Sequence, residues 1–308
     1  MSGAGPLSGI RVVEFDDGQA QYAGKLLADM GADVVKVEPP GGSAARGVPP
    51  FARDQPGPNS SLYFWHYNLS KRSVVLDLTA AGDQAAARRL IGAADVVLDG
   101  LGPGVLAAAG LDWDDVRAAN PRLVFARVTP FGTDGPWAGY ASSDLVQLAM
   151  GGMMTMTGYG DEPGLTRSMP VAPAGGQSRH VPAVLAAVGV VTALIRRQDS
   201  GTGQLVDVAA HDALTHSNEM GTVFWEFRRE NVKRHTGRHG NPREHTSPQL
   251  FRCRDGRWVM CLTMYMNDNK RYAGLLEWMT AHGLEDDLGG ERYRTDPAYR
   301  AEHNDHII

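Results

Sequence analysis

The stretch IRVVEFDDGQAQYAGKLLADMGADVVKVE, running from Ile10 to Glu38, decides the fold. It opens with a β-branched run, Ile10 to Phe15, of the kind that suits a pleated, buried surface. Lys25 to Met30 has helical character, Gly31 ends it, and Ala32 to Glu38 is a second β-branched run. Strand, helix and strand in so short a space predict a βαβ unit. Working outward, Ser73 to Leu78 predicts a strand, Asp83 to Leu90 a helix, Asp95 to Leu98 a strand, and Leu123 to Val128 another. Repetition of the unit predicts an α/β fold with a Rossmann-like parallel sheet and helices on both faces.

Between these units, Pro39 to Pro58 is a Gly- and Pro-rich loop, longer than a plain connector needs and therefore expected to line a site. Beyond Ser143 the spacing predicts a helix over Asp144 to Met156, a loop over Pro163 to Gly176, and a buried helix over Val181 to Arg197. Gly201-Thr202-Gly203 stops that helix, and Leu205 to Val208 adds a strand. His211 to Arg229 reads as one long helix, and Arg234 to Pro248 as a polar linker. Leu250 to Cys253 and Trp258 to Leu262, joined by Arg254-Asp255-Gly256-Arg257, predict a hairpin, with helices after it. The expected division is a large Rossmann-like domain over 1–225 and a small α+β domain over 226–308. The chain ends at Asn304 to Ile308 within a helical stretch, so the small domain is expected to be truncated.

The chain has 308 residues, a length that suits two domains at roughly 100–200 residues each. Lys and Arg number 30 against 35 Asp and Glu, giving a net charge of −5, which argues against nucleic acid and anionic membranes as partners. Charged residues at 21% and hydrophobic ones at 43% describe a folded chain, not a disordered one. The two cysteines, Cys253 and Cys261, are too few for a disulfide framework and predict a reducing, cytoplasmic setting. The N-terminus MSGAGPLSG carries no secretory pattern, and the apolar run Val181 to Ile195 falls short of the roughly 20 residues of a membrane span.

Six motifs occur in order along the chain: LLADMGADVVKVEPPGG (Leu26 to Gly42) followed by Arg46-Gly47, NLSKRSVVLDL (Asn68 to Leu78), ADVVLDGLGPGVLAAAGL (Ala94 to Leu111), NPRLVFARVTPFGTDGP (Asn120 to Pro136) and SGTGQLVDVAAHDAL (Ser200 to Leu214). Together they resemble the class III coenzyme A transferases, the group of formyl-CoA transferase, carnitine CoA-transferase and the α-methylacyl-CoA racemases. The resemblance implies a Rossmann-like large domain, a small domain and an interlocked dimer. It also implies transfer of CoA between carboxylic acids, with acyl-CoA as substrate and no tightly bound cofactor. In such enzymes an aspartate attacks the thioester, an anhydride and then an enzyme–CoA thioester form, and hydrogen-bond donors hold the oxyanion.

The resemblance also locates departures. The family aspartate lies shortly before the buried helix; counting back from Gln204 reaches Ser178 or Arg179, where no carboxylate stands. The neighbouring acids Glu162 and Asp199 are too distant to replace it by misalignment. A racemase would need histidine where Ser143 stands, and its small-domain glutamate falls near Tyr265. Pro39-Pro40 replaces a phosphate-binding arginine after Glu38, and Asp99-Gly100-Leu101-Gly102 replaces an aromatic residue and an arginine. What matches is Gln19, whose amide would face the acyl oxyanion, with Ala20, Arg46, Lys71, Arg72 and Asp144. The three cations are expected to meet phosphate or carboxylate. A solvated turn is the competing reading for Lys71-Arg72, and helix capping for Asp144. These features together predict the non-nucleophilic subunit of a hetero-oligomeric transferase, paired with a paralogue that bears the nucleophile, the alternatives being an inactive binding or scaffold homologue, or a homodimeric lyase or transferase that uses another residue.

Other signals have plainer readings. Gly100-Leu101-Gly102-Pro103-Gly104 lacks the G-x-G-x-x-G spacing of a dinucleotide loop. His211, His216, His235, His239 and His245 straddle a helix and a linker without a carboxylate pair, so no metal site is expected. Met150, Met153, Met154 and Met156 suit core packing. Ser178 and His180 sit outside any G-x-S-x-G elbow, which argues against a serine hydrolase.

Overall fold

The structure is a computed structural model, and it describes residues 5–16, 18–160, 169–236, 250–260 and 268–307. The chain forms two compact units, Met1–Met153 with Pro173–Asn218, and Met154–Ala172 with Glu219–Ile308. The domain division at residue 225 stays a proposal.

The strands up to residue 209 are β1 (Arg11–Asp16), β2 (Asp33–Glu38), β3 (Arg72–Val75), β4 (Val96–Gly100), β5 (Val124–Thr129), the short β6 (Gly158–Tyr159) and β7 (Met169–Pro170), and β8 (Leu205–Ala209). The first unit is built on a six-stranded sheet of order β3-β2-β1-β4-β5-β8, parallel at every pairing. The α/β expectation is met. Strand β3 starts one residue earlier than expected and ends at Val75, because Asp77 takes the Thr79 amide and hydroxyl and turns the chain away.

The helices of this unit are α1 (Gln21–Asp29), α2 (Leu62–Asn68), α3 (Ala81–Gly92), α4 (Val105–Ala108), α5 (Trp113–Val116), α6 (Asp144–Met150), α7 (Met153–Met156, continuing into the second unit), α8 (Gln177–Ser200) and α9 (Ala210–His216). One face of the sheet packs Val12, Val34, Val96, Leu98 and Ala126 against α1 and the small-residue face of α8, Ala183, Ala186, Ala187 and Val190. The other packs Val13, Phe15, Val97 and Phe125 against Ala87 and Ile91 of α3 and Leu106, Leu111 and Val116 beyond it. Burying such side chains at roughly 25 cal/mol per Å² is the main stabilising term. The helix expected over Val181 to Arg197 is longer, with 24 residues, and by length and apolarity alone it would pass for a membrane span. Its alanine face lies on the sheet instead.

Two expected helices are each broken in two. The helix over Asp144 to Met156 stops at Gly151-Gly152, and the helix over His211 to Arg229 divides into α9 and α10 (Glu219–Arg228). One contact accounts for both breaks: buried Asn218 donates Nδ2–H to the Gly151 carbonyl. Gly152 has φ +87°, and a Cβ there would stand 2.5 Å from Asn218 Nδ2. Only glycine holds that approach at low cost.

In the second unit β9 (Leu250–Arg252) and β10 (Trp258–Met260) form the expected antiparallel hairpin. Helices α11 (Asn269–Ala281), α12 (Glu291–Thr295), α13 (Pro297–Glu302) and α14 (Asn304–Ile307) follow, packed around Tyr272, Leu276, Leu288 and Tyr293. Most of the expected polar linker, residues 237–248, lies outside the described residues, as do Glu162, Cys261 and Tyr265.

Candidate functional site

In a parallel sheet the carboxyl ends of all strands share one edge, and ligands settle where the chain direction of the strand order reverses. Here that point lies between β1 and β4, flanked by Gly18-Gln19-Ala20 and by Leu101 to Gly104. Gln19 sits in the turn that feeds α1, and its Oε1 is buried with no hydrogen-bond partner. An orphaned buried acceptor of this kind costs about 1–3 kcal/mol unless a ligand donor or a turned-over amide satisfies it. Ala20 is fully buried as the N-cap residue of α1.

Beneath α1 lies a buried charge cluster that sequence reading missed. Glu14 of β1 accepts from Lys36 of β2, its register partner, at 2.9 Å, and from Lys71 at 2.7 Å. All three side chains are 1% exposed or less. Lys71 Nζ also donates to the Gln21 carbonyl at 2.8 Å and to Asn68 Oδ1 at 3.1 Å. The solvated-turn reading of Lys71 is therefore corrected: the carboxylate of Glu14 draws the ammonium inward. Gly24 of α1 makes room, because a Cβ there would fall 1.7 Å from Glu14 Oε2.

Helix α2, sequence LYFWHYN, stands its aromatic residues against the start of α8. Gln21 Nε2 donates to Tyr63 Oη at 3.1 Å, and Arg179 Nη1 donates to the same oxygen at 2.9 Å. Tyr67 Oη lies 2.6 Å from His180 Nε2, with the Tyr22 ring 4.6 Å from the imidazole. Burial and then the neighbouring His66 push the His180 pKa below its usual 6.5, while burial and then Tyr63 raise that of Tyr67. At neutral pH the imidazole is uncharged and the phenol donates to it. Tyr67→Phe leaves the His180 nitrogen without its donor; the expected result is a loss of about 1 kcal/mol of stability, read from the midpoint of urea unfolding.

Ser178 is nearly buried, and its hydroxyl donates to Asp144 Oδ1. Ser178 and His180 thus face different partners and form no hydrolase pair. The capping reading of Asp144 is also corrected. Ser143 is the N-cap residue, taking the Val146 amide at 3.3 Å, and Asp144 is the first helical residue. Arg179 is exposed, and among the described residues it faces no carboxylate.

The other expected cations are committed within the fold. Arg46 Nε and Nη2 reach the two oxygens of Glu38 at 2.6 and 2.7 Å, and its guanidinium stacks on Phe64 at 3.8 Å. Burial pushes the Glu38 carboxyl up, but the bonds from Arg46, Ser73 and the Ser43 amide outweigh it and hold the pKa at about 2. Arg72 grips Asp33 with two bonds at 2.9 and 2.6 Å on the surface, with 67% and 48% of the two side chains exposed. Such a pair contributes little, and Arg72→Ala is expected to cost at most about 1 kcal/mol by denaturant titration.

The remaining signals fall into place. Asp99 receives Arg127 Nε at 3.1 Å. The His211 ring lies 5.3 Å from Trp137 and 6.0 Å from Phe131, while His239 and His245 lie outside the described residues. Among the described residues no three His, Cys, Asp or Glu side chains come together in a metal-holding group. Cys253 is free and exposed.

Residues 7–307 match the family described as CoA-transferase family III, and the chain belongs to it. Its relatives include the succinyl-CoA:(R)-benzylsuccinate CoA-transferase subunit BbsE of Thauera aromatica, 36% identical over 281 residues, which are 91% of this chain and 65% of that protein. Another is the formyl-CoA:oxalate CoA-transferase of Streptomyces avermitilis, 37% identical over 68% of this chain and 48% of its own length. Among solved structures, a CaiB/BaiF family protein from Brucella suis superposes with a TM-score of 0.81 at 29% identity, over 98% of this chain and 76% of its own. The chain thus spans about half to two thirds of the length of these two curated relatives.

Proposed function

We propose that this chain acts on acyl-CoA thioesters as the non-nucleophilic subunit of a hetero-oligomeric class III CoA-transferase, partnered by a paralogue that supplies the attacking carboxylate. The observation that carries the reading is the start of α8, where Ser178, whose hydroxyl donates to Asp144, and Arg179, a cation, supply no carboxylate of their own to form the anhydride. The relative from Thauera aromatica, itself named as a subunit, supports a division of labour between two chains. In this reading CoA or acyl-CoA and a carboxylic acid are substrates, no cofactor is tightly bound, neither nucleic acid nor membrane is a partner, and the setting is cytoplasmic. Gln19 faces the acyl oxygen. The missing carboxylate at 178–179 favours a heterodimer over a homodimer, and an inactive scaffold is the second reading.

The test mixes the chain with the family paralogue that carries aspartate at the position of Ser178-Arg179. After incubation with an acyl-CoA, borohydride trapping and peptide mass spectrometry are expected to find the reduced carboxylate on the paralogue and none on this chain. A trapped Asp or Glu here would overturn the division of labour. Binding without any transfer by the mixture would favour the scaffold.

A further inference from the structure

We propose that Arg179 and the Tyr63 hydroxyl form a binding site for the ionised carboxylate of an acid substrate. The word substrate rests on the transferase reading above; the anion site itself rests on geometry. Tyr63 Oη accepts from Gln21 Nε2 at 3.1 Å and from Arg179 Nη1 at 2.9 Å. With both acceptor positions filled by N–H groups, the phenol's own proton has to point elsewhere, toward an acceptor. Arg179 carries five N–H donors and spends one of them on this neutral oxygen. The guanidinium is exposed, held in place at one corner, and faces no carboxylate among the described residues.

Two further features set the character of the ligand. Arg179 lies in the first turn of a 24-residue helix whose N-cap, Gly176, has no capping side chain, so the helix dipole adds to the attraction for an anion. The guanidinium also lies over Gly18, close enough that a Cβ there would touch Arg179 Cζ at 3.8 Å, which places it beside the Gln19 turn at the strand ends.

Charge count then decides between a carboxylate and a phosphate. Lys36 and Lys71 hold Glu14, Arg46 holds Glu38, and Arg72 holds Asp33. His180, the adjacent ring, is uncharged at neutral pH because burial lowers its pKa. One guanidinium without a counter-charge among the described residues matches a monoanion with two coplanar oxygens, the geometry of a carboxylate on an arginine fork. A phosphate dianion would remain half neutralised. At the stretch where the family resemblance implies a nucleophile, Ser178-Arg179, this chain thus places a holder of the acid.

The test titrates the chain alone, without CoA, with succinate, propionate and inorganic phosphate, followed by ligand-observed NMR. Succinate or propionate is expected to bind more tightly than phosphate. Arg179→Gln is expected to raise the Kd for the carboxylates about tenfold or more, Arg179→Lys to recover part of that, and Tyr63→Phe to weaken binding several-fold. Arg179 is exposed, so circular dichroism is expected to show the variants folded. A Kd unchanged in Arg179→Gln, or tighter binding of phosphate than of either carboxylate, would overturn the proposal. The outcome is separable from the transferase reading. Carboxylate binding that depends on Arg179, in a mixture that transfers no CoA, would leave the site standing and remove the activity. Transfer unaffected by Arg179→Gln, with unchanged binding, would do the reverse.

Discussion

Glu14→Ala lowers the stability of the chain by about 3–5 kcal/mol, a large share of the roughly 5–15 kcal/mol that holds a domain together. The carboxylate lies fully buried between Lys36 and Lys71, at 2.9 and 2.7 Å. Two ammonium groups brought into the same low-dielectric space repel each other, and Glu14 is the anion that both of them contact. Urea unfolding checks the effect: the midpoint should fall while the slope stays that of the parent. Glu14→Gln keeps the shape and loses the charge, so it should recover little. A loss under about 1 kcal/mol in both variants would show that the lysines are held by other groups.

The second large effect is on acid stability. Glu38 has its pKa at about 2 in the folded chain against an ordinary 4.5, because Arg46, Ser73 and the Ser43 amide outweigh the upward push of burial. A carboxyl depressed by folding contributes fully above pH 4.5, and the contribution drains away as pH falls from there toward 2. The linked stabilisation is about 3 kcal/mol. The parent should therefore lose about that much stability between pH 5 and pH 2 beyond what a Glu38→Gln variant loses over the same range. Parallel curves for parent and variant would mean that Glu38 titrates normally. Arg46→Gln should produce much of the same flattening, since it removes the leading partner.

The parallel sheet was legible because its strands are buried on both faces and read as continuous β-branched runs, Val12-Val13 and Val34-Val35 among them. The broken helices were not, because Asn218, at the break between α9 and α10, holds the Gly151 carbonyl at the end of α6 through a contact 67 residues away, which no local period records. The same holds at the site. The absence of a carboxylate at Ser178-Arg179 was readable through the family resemblance, by counting back from Gln204. Lys71 looked like half of a solvated basic pair because its environment is set by Glu14, 57 residues earlier. Tyr63 and Tyr67 were missed outright. The one available signal was the density of rings in LYFWHYN, a short helix with too few turns to show a face.

The order of elements carries a consequence for synthesis. The first unit is interrupted: residues 154–172 belong to the second unit, and α8 and β8 come only afterwards. Until they emerge from the ribosome, Val12, Val34, Val96 and Leu98 lack the alanine face of α8, and β5 presents an open edge to any passing strand. A nascent chain of some 150 residues therefore holds five strands in register and one apolar face covered by α1 but not yet by α8. Such a species is a substrate for chaperones and a seed for misassembly. The last strand of this sheet to be made, β8, is also the one that covers β5, so completion of the sheet is timed by translation beyond residue 209, and a stall or truncation before that point should be marked by aggregation rather than by a smaller soluble domain.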